Sequence, residues 1–126
     1  MPENSTPLID NAENIISQQE HKITFSDLDY NNHTNNISYI SLAFEGMPVE
    51  FVKHNYPKVL DIKYLQETFL YDNLQCTIYQ NGEHFLYKII NKKDNSDVCI
   101  INSHWTSCNF DTQEFYNVLN QIRNKV

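Results

Sequence analysis

Asp27-Leu28-Asp29-Tyr30-Asn31-Asn32-His33-Thr34-Asn35-Asn36 runs without interruption into an apolar segment that opens Ile37-Ser38-Tyr39-Ile40. Apart from Leu28, Tyr30 and Thr34, every residue of the first stretch is Asp, Asn or His, and none is Gly or Pro. The second stretch carries the best helical pattern in the chain. Ile37, Ile40, Phe44, Met47 and Phe51 step by 3, 4, 3 and 4 and so trace one helix face. Tyr39, Leu42, Ala43 and Val52 widen that face and leave Ser38, Ser41 and Glu45 as the polar side. So wide an apolar surface predicts a helix wrapped by other structure. Gly46 and Pro48 predict a break with a fresh turn at Pro48, because proline lacks a donor and clashes with the preceding turn.

Asn35 or Asn36 suits the N-cap, where a side-chain oxygen accepts from a first-turn N–H. The polar loop is thereby delivered to the positive end of a helix, which favours negative charge and presents spare N–H donors. Asp29, Asn31 and His33 place a carboxylate, an amide and an imidazole at alternate positions there. That set suits attack on a carbonyl, with the N–H groups of residues 34–37 expected around the developing oxyanion. Each residue also has an ordinary structural use, since Asx side chains favour turns and caps.

Upstream, residues 1–20 are polar and read as a flexible leader, with a short helix around Ile9 to Ser17; residues 21–126 read as one domain. His21 to Ser26 alternates around Ile23 and Phe25, as a first strand would. Downstream the pattern is β: Lys58 to Tyr71, Leu74 to Gln80, Glu83 to Asn91 and Val98 to Cys108. Asn81-Gly82 between two of these runs is a strong hairpin signal. Glu67 stands out as a carboxylate inside an apolar strand run, where it needs a partner or a purpose. Asp111 is expected to cap a closing helix with Phe115, Val118, Leu119 and Ile122 as its apolar stripe. One strand, a wrapped helix and at least four antiparallel strands in meander predict an α+β fold, a single sheet curled around one helix.

The 126 residues suit one core, and 40% hydrophobic with 13% aromatic content can fill it. A net charge of −7 argues against nucleic acid or an anionic membrane as the main partner, and mildly against an acidic carrier protein. Cys76, Cys99 and Cys108 are odd in number and lack a CxxC, which predicts reduced thiols in a cytoplasmic protein. The histidines show no convincing metal-ligand spacing, and no signal peptide or membrane span is visible.

Asp27 to Asn36, followed by Ser38-Tyr39-Ile40, resembles the signature D-x-D-x-N-x-H-x-N-N-x-x-Y-I of the acyl-acyl-carrier-protein thioesterases. Met47-Pro48-Val49-Glu50-Phe51, Asp61 to Glu67 with Asp72, and Trp105 extend the resemblance over about residues 21–108. It implies the hot-dog fold and places Asp29, Asn31, His33 and Glu67 in the catalytic set, with Asn35, Asn36 and Tyr39 against the substrate and no cofactor. Members carry two hot-dogs in tandem, and this chain resembles the second, which supplies the catalytic loop. A homodimer, or pairing with another hot-dog domain, is therefore expected. Plant members have Cys just after the catalytic Glu; here it is Thr68, so a Cys–His–Asn mechanism is unavailable at that position. The implied reaction is release of fatty acid from acyl carrier protein in fatty acid biosynthesis. The alternatives are an acyl-CoA thioesterase and an inactive acyl-binding or dimerisation module.

Overall fold

The computed structural model describes residues 11–107 and 120–122. Five strands, β1 (Ile15–Lys22), β2 (Asn55–Tyr64), β3 (Asn73–Asn81), β4 (His84–Asn91) and β5 (Ser96–Ser107), form one antiparallel sheet in the order β1-β3-β4-β5-β2. Two helices, α1 (Asn36–Glu45) and α2 (Val49–His54), join β1 to β2. A sheet curled about α1 is the hot-dog arrangement that the resemblance implied. Only β3, β4 and β5 form the expected meander; β2 crosses to the far edge and pairs with β5.

The helix breaks where Gly46 and Pro48 predicted, with Gly46 ending α1 and Pro48 preceding α2. Gly46 is also required by space. A Cβ there would lie 2.6 Å from Ser17 Oγ and 2.9 Å from Ile78 Cδ1. The buried face of α1 differs from the expected stripe. Tyr39, Leu42 and Ala43 are buried, whereas Ile37 is 67% exposed. These side chains meet Cys76, Ile78, Phe85, Tyr87, Ile89, Cys99, Ile101 and Trp105 from the inner sheet face. Trp105 packs against Phe44, Phe51 and Phe85, and its indole N–H donates to Ser103 Oγ at 2.8 Å. The buried Tyr87 hydroxyl bonds Ser103 Oγ at 2.9 Å, which avoids the cost of roughly 1–3 kcal/mol for an orphaned polar group.

The first strand is Ile15–Lys22, not His21 to Ser26, and so begins inside the segment read as leader. Its inward side chains, opposite Cys76 and Ile78, are Gln19 and Ser17, so the hydrophobic alternation is missing. Phe25–Asp27 forms a single 3-10 turn instead of strand, and Ala12–Asn14 forms another where a short helix was expected. β2 ends at Tyr64, and residues 65–69 form an irregular strap rather than the rest of a long strand. Gly82, with φ of 63°, is the first of two turn residues between Asn81 and His84, so the hairpin centre is Gly82-Glu83. Asp111, Phe115, Val118 and Leu119 of the expected closing helix lie outside the described residues; residues 120–122 are helical, with Ile122 exposed.

Candidate active site

The polar loop is held by its own backbone. Leu28 and Thr34 form an antiparallel bridge, and the Asp29 N–H donates to the His33 carbonyl at 2.8 Å. Asp29 Oδ1 accepts from the N–H groups of Asn31 at 2.9 Å and His33 at 3.1 Å. Asn32 sits at φ of 63°, a left-handed conformation that Asn tolerates better than most residues. Asp29 thus shapes the loop with one oxygen.

Below the loop lies Asp27, whose carboxylate accepts from Thr24 N–H (2.8 Å), Thr24 Oγ1 (3.0 Å) and Ser38 Oγ (2.9 Å), and pairs with His21 Nε2 (2.9 Å). Burial alone would raise its pKa. The bonds from Thr24, His21 and Ser38 prevail and hold it at about 2. One side chain therefore ties the end of β1, the turn after it and the first turn of α1 together.

The start of α1 has fewer spare donors than the sequence suggested. Thr34 N–H donates to the Thr68 carbonyl (3.3 Å), Asn35 N–H to the Asp27 carbonyl (2.7 Å), and Ile37 N–H to Asn35 Oδ1 (3.0 Å). Asn35 is the N-cap. Of residues 34–37, only Asn36 keeps an N–H without an acceptor among the described residues.

The strap brings up the second half of the site. Glu67 Oε1 lies 3.5 Å from His33 Nδ1, and Phe69 meets the His33 ring edge-on with centroids 5.9 Å apart. Between them Thr68 turns inward and is fully buried. Its hydroxyl lies 2.7 Å from Thr34 Oγ1 and 2.8 Å from the Tyr39 hydroxyl, while Thr34 Oγ1 donates to the Thr68 carbonyl at 3.0 Å. Burial raises the pKa of Tyr39, which keeps its proton available for donation.

Asp29, His33, Thr34, Asn36, Tyr39, Tyr64, Leu65, Gln66 and Glu67 line a cleft of about 380 Å³ at the start of α1. The side chains of His33 and Glu67 are 42% and 61% exposed, so water reaches both. Asp29, His33, Glu67, Asn36 and Tyr39 therefore converge. Asn31 is exposed and does not line the cleft, and Asn35 is spent on capping. From the sequence, no role in the site falls to Thr68, to Asp27 or to the Thr34 hydroxyl, and the Thr34 N–H is expected at the oxyanion, where the structure instead spends it on the Thr68 carbonyl. Their signal was faint: small hydroxyls beside motif positions, and the first Asp of the motif. Burial pushes the thiols of Cys76 and Cys99 up to about 12 and about 11, so neither is a ready nucleophile.

Residues 11–107 match the family described as acyl-ACP thioesterase C-terminal domain. No curated protein matches the chain in sequence. Among solved structures, the 12:0-ACP thioesterase from Umbellularia californica superposes with a TM-score of 0.72 at 19% identity, over 85% of this chain and 40% of that one. An acyl-ACP thioesterase from Bacteroides thetaiotaomicron gives 0.67 at 18% identity, over 84% and 42%. A 1,4-dihydroxy-2-naphthoyl-CoA thioesterase from Synechocystis gives 0.59 at 11% identity, over 71% and 80%. The chain thus spans about two fifths of the first two and four fifths of the third. No helix among the described residues is long and apolar enough to cross a membrane.

Proposed function

The chain belongs to the acyl-ACP thioesterase C-terminal domain family, and from that premise we propose that it hydrolyses acyl thioesters in the cleft beside His33 and Glu67. The observation that carries this reading is the approach of Glu67 Oε1 to His33 Nδ1, 3.5 Å apart, at the mouth of a cleft that also holds Asn36.

Glu67 accepts a proton from water as that water attacks the thioester carbonyl carbon. The Asn36 N–H, reinforced by the positive end of α1, stabilises the oxyanion; one good donor of this kind contributes roughly 3–4 kcal/mol. Collapse of the tetrahedral intermediate breaks the C–S bond. His33 holds Glu67 in place, and the Glu67 carboxyl returns the proton to the leaving thiolate, giving a carboxylic acid and a thiol and restoring the carboxylate. Asp29 fixes the loop through Oδ1, and Asn31 takes no part in these steps. Tyr39 and Tyr64 wall the cleft against the core.

The substrate is acyl-acyl-carrier protein, as family membership favours, with fatty acid the product. Acyl-CoA is the second reading, favoured by the match to four fifths of a CoA thioesterase of similar size. The chain works paired through β2, with a second copy or another hot-dog domain. β2 ends the sheet, and Tyr56, Val59, Leu60 and Tyr64 along it are each at least 40% exposed. The free thiols of Cys76 and Cys99 suit the cytoplasm. Hydrolysis of an acyl-carrier-protein panel and an acyl-CoA panel, wild type beside Asp29→Ala and Glu67→Ala, tests the reading. Activity that falls in both variants while folding persists is expected; activity unchanged in both refutes the site.

A further inference from the structure

We propose that Thr68 is a positioning residue whose buried hydroxyl sets the His33–Glu67 geometry through a latch formed with Thr34 and Tyr39. This rests on the hydrolytic reading of the cleft for its consequences in catalysis, but the latch itself does not. Two pairs of consecutive residues face each other: His33-Thr34 on the loop and Glu67-Thr68 on the strap. The outer members make the functional contact, 3.5 Å between His33 Nδ1 and Glu67 Oε1. The inner members make the buried one, 2.7 Å between hydroxyls.

The direction of every proton in the latch follows from the partners. Thr34 Oγ1 donates to the Thr68 carbonyl (3.0 Å), so it can only accept from Thr68 Oγ1 (2.7 Å). The Thr68 proton is then spent, and the Tyr39 hydroxyl must donate to Thr68 Oγ1 (2.8 Å). The Thr34 N–H adds a second bond to the Thr68 carbonyl. The strap is irregular and its side chains Leu65, Gln66, Glu67 and Phe69 are exposed, so Thr68 is its buried anchor. Glu67 and Phe69, on either side of that anchor, both touch His33. A small shift of Thr68 therefore moves the carboxylate and the ring that frame the imidazole, and displacement of a reacting group by about 1 Å can cost about a hundredfold in rate.

Valine matches the shape of threonine but lacks the hydroxyl. It would leave the buried Tyr39 hydroxyl without its acceptor and Thr34 Oγ1 without its donor. Serine keeps the hydroxyl, and cysteine offers only a weak donor and acceptor. The test is Thr68→Val, Thr68→Ser and Thr68→Cys beside Glu67→Gln, with two readouts. The first is hydrogen exchange of the Thr34 amide, which needs no substrate. It is expected to speed up by about tenfold in Thr68→Val, to stay within about twofold in Thr68→Ser, and to be unaffected by Glu67→Gln. The second is thioester hydrolysis. Thr68→Val is expected to lower kcat by at least about tenfold with KM within about twofold, with Thr68→Ser near wild type and Thr68→Cys between. Unchanged Thr34 exchange in Thr68→Val overturns the latch whatever the activity. Normal kcat in Thr68→Val, where Glu67→Gln is inactive, overturns the positioning role and leaves the hydrolytic reading standing. Full activity in Glu67→Gln refutes that reading, and the exchange data still decide the latch.

Discussion

The two segments that meet at the cleft are built on opposite principles. The loop over residues 28–34 is closed by its own backbone and by Asp29 Oδ1, and rests on Asp27, which gathers His21, Thr24 and Ser38. The strap over residues 65–69 has little internal bonding, and its buried contacts run from Thr68 to residues 29 and 34 positions away. That separation is 34 for Thr34 and 29 for Tyr39 in sequence. The loop that presents His33 is held mostly by near neighbours, with Thr34 to Thr68 as its long-range tie. A segment made rigid by distant partners presents Glu67 only when the whole domain is assembled. Of the two halves of the site, the strap is thus the one whose geometry rests on contacts distant in sequence.

That contrast can be broken in several ways. The largest effect is expected from His33→Ala. It removes the imidazole between loop and strap and should cost about a hundredfold or more in kcat/KM. Since His33 is well exposed, the thermal unfolding midpoint should barely move, as calorimetry can check.

Asp27→Asn should act on stability, because the charge that gathers four donors is lost. Its folded pKa of about 2 lies below the ordinary 3.8. A depressed carboxylate stabilises the fold above the unfolded pKa and loses that contribution as pH falls through the folded one. The variant should therefore be on the order of 2 kcal/mol less stable than wild type near neutral pH. The gap should close between about pH 4 and pH 2, which denaturant titrations across that window would reveal. A gap independent of pH would mean that Asp27 acts by shape alone.

Asn35→Ala is the smallest of these. Losing the cap on the Ile37 N–H should cost about 1 kcal/mol and leave the Leu28–Thr34 bridge in place. If this exposed cap destabilised the domain more than Asp27→Asn does, the loop would not be anchored from below as described.

The loop was legible in the sequence because its logic is local. Asn35 as cap, the turn at Asp29 and the break at Gly46-Pro48 all follow from residues within a few positions of one another. The strap was not. Leu65, Phe69 and Leu70 look like strand residues, yet each is at least 37% exposed, and the buried side chain among them is a threonine. β1 escaped for the converse reason, since its inward positions are Ser17 against Ile78 and Gln19 against Cys76. The place of β2 at the far edge is a matter of topology, which no local pattern encodes. At the helix start, the sequence could mark the donors but not their acceptors. Thr68 and Asp27 consume two of them through contacts the local pattern does not announce, and Asn36 is left.

The most direct measurement is steady-state hydrolysis of one acyl-carrier-protein thioester by Glu67→Gln beside wild type, at matched folding. A carboxylate base facing His33 predicts a loss of about 10²–10³ in kcat/KM with an unchanged unfolding midpoint. Equal activity in the two proteins would contradict it and remove Glu67 from the chemistry.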